Sequence, residues 1–117
     1  MIKIYKLAGE EPVIGEFIEE AGFDTIIKNP LIPRMRAIGG GKVGLTWMPF
    51  VQFCQNILET MKRVKLPTNL IMWESIPADE VCDSYNTAIA TIEATVEKKI
   101  LEDNCYGGNS TATTKLN

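Results

Sequence analysis

Apolar and polar positions alternate along residues 2–7 (IKIYKL) and again along 13–20 (VIGEFIEE). A period of two predicts β-strands. In the first stretch Ile2 and Ile4 oppose Tyr5 and Leu7, so both faces carry apolar residues and the strand is expected to be covered on each side. The intervening AGEE reads as a turn in which Gly9 is free to adopt positive φ. Gly15, inside the second strand, predicts a sharp bend or a close backbone approach. Ala21 to Asp24 forms a hairpin loop, and the β-branched run TIIKNPLIPRMRAI follows. Pro30 and Pro33 cannot donate to a ladder, so they mark an edge, a bulge or a strand end.

The pattern then loosens at GGGKVG (39–44), a loop, and resumes as an aromatic-rich strand in GLTWMPFVQF, where Pro49 again argues for an edge or a bulge. Residues 55–63, QNILETMKR, fit a helical turn or an irregular strand, and we read them as strand or loop. LPTNLIMWES (66–75) is the last predicted strand. The clearest helix follows: Pro77 suits a first turn, Asp79 and Glu80 complement the N-terminal dipole, and Val81, Tyr85, Ala88, Ile92, Val96 and Ile100 fall on one face. Residues 1–101 are read as one domain, and the polar stretch 102–117 as a mobile tail. Four or five short strands leave exposed edges if they stay open. Closure into a small barrel, with edge pairing between subunits, removes them.

Composition narrows the possible functions. The 117 residues carry a net charge of −3, so no global field draws the chain to nucleic acid or to an anionic membrane. Any such binding requires a local patch. Histidine is absent, and Cys54, Cys82 and Cys105 are odd in number and widely spaced, which argues against a zinc site or a disulfide framework. Reduced thiols in a cytoplasmic setting are the simplest expectation, since no apolar stretch has the length of a signal h-region or a membrane span. Glu16 and Glu20 share a strand face but lie too far apart to act as a dyad, and no activated nucleophile accompanies them. We therefore expect no enzyme activity, no cofactor and no metal.

The ordered segments Gly9-Glu10-Glu11, Val13-Ile14-Gly15-Glu16, Ile27-Lys28-Asn29-Pro30-Leu31, Gly44-Leu45, Met48-Pro49-Phe50 and Pro77 to Tyr85 together resemble the Sm-like proteins. Among these the chain is similar to the members encoded by bacteriophages, cyanophages in particular. The likeness spans roughly residues 2 to 90. It implies a mainly β fold, a strongly bent five-stranded small barrel, here followed by a C-terminal helix where the family usually has an N-terminal one. It also implies a homo-oligomeric ring of five to seven subunits and, from the cellular relatives, binding of single-stranded RNA by two loops. The corresponding loops here are Glu20 to Asp24 and Leu66 to Asn69. The first lacks the family's Asn, and the second lacks its Arg-Gly.

These loops supply the RNA-binding candidates Phe23, Asp24, Thr68 and Asn69, with Phe23 as a stacking platform. Arg34, Arg36, Lys62, Arg63 and Lys65 are the candidates for phosphate contact, against the alternative of a solvated surface. Trp47, Met48, Phe50 and Phe53 are expected in the barrel core or at the subunit interface. A structural ring that binds another protein and no nucleic acid is the alternative function.

Overall fold

The computed structural model describes residues 1–105, with side chains through Glu97. Six strands and two helices follow in the order β1 (Ile2–Leu7), β2 (Val13–Ala21), β3 (Asp24–Gly39), β4 (Lys42–Pro49), α1 (Ile57–Met61), β5 (Val64–Pro67), β6 (Ile71–Ser75) and α2 (Asp79–Cys105). The sheet is antiparallel and ordered β4-β3-β2-β1-β6, with β5 paired to the first four residues of β3. That five-strand path is strongly curled into a half-barrel and leads into a C-terminal helix, the Sm-like architecture expected from the sequence.

Two bulges produce the curl. Between Glu16↔Lys28 and Ile14↔Leu31 the β3 strand carries one extra residue, and between Phe17↔Ile27 and Glu19↔Ile26 the extra residue lies in β2. A bulge bends its strand and sharpens the local twist. The β3 bulge is built by Asn29, whose φ of 53° lies in the left-handed region that Asn tolerates, and by Pro30, which has no N–H to offer. Gly15 faces it from β2. A Cβ there would stand 3.1 Å from Ile27 Cδ1 and 3.3 Å from the Lys28 carbonyl oxygen, so the close approach anticipated for this glycine is real.

The bulge is fastened from outside the sheet. Tyr85, on α2, donates its hydroxyl to the Asn29 carbonyl at 2.6 Å, satisfying an acceptor that the irregular ladder leaves spare. Trp47 of β4 meets the same ring edge-on, with centroids 5.8 Å apart, and its indole N–H donates to Ser84 Oγ at 2.9 Å. Helix α2 is thus docked by an aromatic pair and two hydrogen bonds as well as by its apolar stripe.

As a result the sheet has two buried faces. Tyr5, Leu7, Val13, Ile27 and Leu66 fill the concave side, with Phe50 and Ile71 packed against them. Ile14, Leu31, Met61 and Tyr85 form the other cluster, where Ile2, Ile4 and Trp47 meet Val81, Ala88, Ile89 and Ile92 of the helix. The opposite faces of IKIYKL are therefore both covered, as its pattern implied. Ile100, the last member of the predicted stripe, lies outside the described side chains.

Three expectations change. Residues 57–61 are helical, not strand or loop: Asn56 Oδ1 accepts the Glu59 N–H at 3.3 Å, an N-cap followed three residues later by Glu. One 3-10 turn, Thr68–Leu70, divides the single strand expected over 66–75 into β5 and β6. Helix α2 runs on to Cys105, past the boundary expected at residue 101, and the rest of the expected tail, 106–117, lies outside the described residues.

The two buried tyrosines should respond oppositely to removal of their hydroxyls. Tyr85→Phe strips a partner from the half-buried Asn29 carbonyl and is expected to cost about 1–2 kcal/mol in urea unfolding. The Tyr5 hydroxyl is buried without any partner among the described residues, so Tyr5→Phe should be neutral or stabilising by about 1 kcal/mol. Gly15→Ala should cost about 1–3 kcal/mol, because the Ile27 side chain and the Lys28 carbonyl must both give way.

Burial raises the ionisation of both hydroxyls above the ordinary tyrosine range, aided by Glu74 and Glu20 at Tyr5 and by Glu16 at Tyr85. The folded chain therefore keeps protons that the unfolded chain releases near pH 10. Stability from this source is complete below that pH and should fall above it, by up to about 1.4 kcal/mol per pH unit for each tyrosine. Alkaline unfolding followed by circular dichroism, with the slope reduced in each Phe variant, checks this.

Candidate functional site

Gly22, at φ 64°, lets β2 turn into β3 through a two-residue hairpin, Gly22-Phe23. That tip lies against the 3-10 turn between β5 and β6. Asp24 pairs with Pro67 in the ladder, and the Thr68 N–H donates to the Phe23 carbonyl at 2.9 Å. Two segments more than forty residues apart in the chain thereby form one end of the half-barrel. Phe23, Asp24, Thr68 and Asn69, chosen as RNA-binding candidates, are brought together there.

Below the tip runs a chain of polar groups. Thr25, buried in the sheet, donates to Glu20 Oε2 at 2.7 Å and lies 3.1 Å from Thr68 Oγ1. Thr25 has a single hydroxyl hydrogen, and the carboxylate can only accept it, so Thr68 donates to Thr25. The three residues fix both loops in one arrangement. Glu20 and Thr25 are direct partners across the hairpin, a pairing readable once AGFD is placed at its tip. Sequence reasoning weighed Glu20 only as half of a carboxylate pair and so missed this role.

Above the polar chain Phe23 is 92% exposed, with no side chain covering its ring, while Asp24 is half-buried and Thr68 and Asn69 are exposed. A flat, uncovered aromatic ring beside a hydroxyl, an amide and a carboxylate offers stacking together with donors and acceptors for the edge of a heterocycle. It does not offer positive charge.

The five basic candidates are dispersed, and three are engaged. Arg34 pairs with Glu11 at 3.3 Å, Lys62 with Glu59 at 2.8 Å and Arg63 with Glu19 at 2.7 Å. Arg36 and Lys65 have no carboxylate within ion-pair distance among the described residues. Lys65 stands opposite Ile26 on β5, two residues from Pro67. Arg34 and Arg36 lie ten and twelve positions along β3 from Asp24, on the far hairpin. These cations form no single phosphate track.

The aromatic set divides as well. Trp47 and Phe50 are half-buried in the two clusters described above, and Met48 is half-buried outside them. Of the two places expected for Phe53, core or subunit interface, the core is excluded: at φ 61° it sits in a left-handed bend after β4 and is fully exposed, because the chain turns there toward α1. Among the described residues no helix is long and apolar enough to cross a membrane. No family model matches this chain, and no curated protein matches it.

Since nothing packs on Phe23, Phe23→Ala should leave unfolding stability within about 0.5 kcal/mol of the parent. Thr25→Val removes the relay between the loops and should cost about 1–3 kcal/mol. Paired denaturation curves separate the exposed platform from its support.

Proposed function

We propose that this chain is a non-catalytic, ring-forming protein of the Sm-like type, which presents the Phe23–Asn69 end of each subunit to single-stranded RNA. The observation that carries the reading is the pair of unsatisfied sheet edges. Among the described residues strand β6 pairs only with β1, and β4 and β5 pair only with β3, so both margins of the curled sheet present free backbone groups there. Beside the β6 margin Leu70, Met72, Trp73 and Ile76 are exposed, an apolar border that a solitary subunit leaves in water. Edge-to-edge addition of identical subunits would pair the backbone and cover that border, and such a series forms a ring when the rotation between subunits closes.

The RNA assignment is supported by the convergence of Phe23 with Thr68 and Asn69. Recognition of this kind relies on stacking and base edges more than on phosphate. Half-buried free thiols at Cys54 and Cys82 fit a reducing compartment, the cytoplasm of a host cell for a phage-type protein. A second reading, a scaffolding ring whose partner is another protein, is favoured by one specific observation: Arg34, Lys62 and Arg63 already face carboxylates.

Light scattering of the purified chain should give the mass of a five- to seven-subunit particle. Short U-rich or A-rich RNA should bind it, and Phe23→Ala should weaken binding by about 1–3 kcal/mol without dispersing the particle. With Arg36 and Lys65 the two of the five candidate cations outside an ion pair, the salt slope of log affinity from these candidates should be no steeper than about −1.4 per subunit contacted. An assembled particle indifferent to RNA at low salt would favour the scaffold reading, and a monomer would remove the ring.

A further inference from the structure

Helix α1 and α2 both stand on the convex side of the sheet, where Ile57 and Met61 of α1 join Ile89 and Ile92 of α2 in one apolar cluster. Beside that cluster the two helices leave a cleft of about 280 Å³ over the bulge of β3. Lys28 and Asn29 line it from the sheet, Asn56 and Leu58 from α1 and its cap, and Glu93 and Val96 from α2. A bulge re-aims the side chains beside it. Here the left-handed backbone of Asn29 puts its side chain on the cleft, while Tyr85 holds its carbonyl.

The polar groups of the cleft divide into those already engaged and those left over. Glu59 and Lys62, both exposed, pair with each other at 2.8 Å. Asn56 Oδ1 accepts the Glu59 N–H, which leaves the Asn56 amide N–H groups to donate. Lys28 stands opposite Glu16 in the ladder, yet among the described residues neither Lys28 nor Glu93 has an opposite charge within ion-pair distance. The Asn29 side chain likewise makes no hydrogen bond among the described residues; only its carbonyl is engaged. A cation and an anion therefore line one cleft from different elements without meeting, together with two amides and the half-buried aliphatic side chains of Leu58 and Val96.

This set defines what fits. An anion is needed for Lys28 and a cation for Glu93, and a half-buried ammonium regains from a counter-ion what it has lost in hydration. Amides meet either polarity, because each has donors and an acceptor. Leu58 and Val96 call for a short apolar group. The volume lies at the lower limit of ligand pockets and restricts the occupant to a small molecule.

We propose that the cleft binds a free amino acid with a short aliphatic side chain, its carboxylate toward Lys28 and its ammonium toward Glu93. The site shares no residue with the Phe23–Asn69 end. It goes beyond the RNA reading and does not depend on assembly into a ring.

The test is calorimetric titration of the full chain with L-valine. Binding with a Kd of about 1 mM or tighter is expected. Isovalerate and isobutylamine, which keep the side chain and one charge each, should bind at least tenfold more weakly. Lys28→Gln and Glu93→Gln should each weaken valine at least tenfold with circular dichroism unchanged. Glu93→Gln, at an exposed helix position, should leave isovalerate binding as in the parent, because only the ammonium partner is lost. Silence toward valine up to about 10 mM, equal affinity for valine and isovalerate, or affinity unmoved by either substitution would overturn the proposal. Each outcome can be read whether the chain is a ring or a monomer, so failure here is distinct from failure of the ring.

Discussion

The fold depends on one irregular point, the bulge at Asn29-Pro30. It bends β3 enough for a single strand to serve both the half-barrel and the β3–β4 hairpin beyond it, and it leaves a carbonyl that the ladder cannot use. Gly15 yields the space from one side, and the Tyr85 hydroxyl takes the carbonyl from the other. A regular strand here would be straighter, and the helix would lose its polar anchor. Curvature and helix docking are therefore one constraint, met by three residues that lie far apart in sequence.

That constraint explains why so short a chain buries both faces of its sheet. Bending brings Leu66 over Tyr5 and Ile27 on the concave side, while the helix seals Ile14 and Leu31 on the convex side. Covering two faces with one sheet and two helices leaves none of the described elements to cap the edges. Apolar side chains such as Met72 and Trp73 remain beside β6, and Met35 and Val43 remain along the β3–β4 hairpin. Saturated faces with open margins direct the unsatisfied surface outward, toward other molecules.

Much of this was legible in the order of residues. Alternation located β1, β2 and the start of β3, Gly15 announced a bend or a close approach, Pro30 announced an edge, a bulge or a strand end, of which the bulge is found, and the i, i+4 stripe from Val81 located α2. What escaped notice were short-range signals that weigh little until neighbours are known. Asn56 and Glu59 are a helix start, but five helical residues hold together only because Met61 and Ile57 are buried by other elements. The 3-10 turn at Thr68 has no strong breaker beyond Pro67, and it is fixed by the hydrogen bond to Phe23 more than by its own composition. At the candidate site the two loops were named from the sequence and the structure joins them. The ion pairs that occupy Arg34 and Arg63 depend on register across strands and turns, which a linear reading of charge does not supply, and the i,i+3 pair of Lys62 with Glu59 follows only once 57–61 is helical.

The hydroxyl contact between Tyr85 and Asn29 spans 56 residues, and that separation matters while the chain is being made. The first four strands emerge from the ribosome long before Tyr85 does. Until then the convex face, with Ile2, Ile4, Ile14 and Leu31, has no helix to cover it. Long-range closure of this kind is entropically slow, and a nascent sheet with one bare apolar face is prone to the wrong partner. The late arrival of a single tyrosine thus makes the interval between the fourth strand and the final helix the vulnerable period in this protein's synthesis.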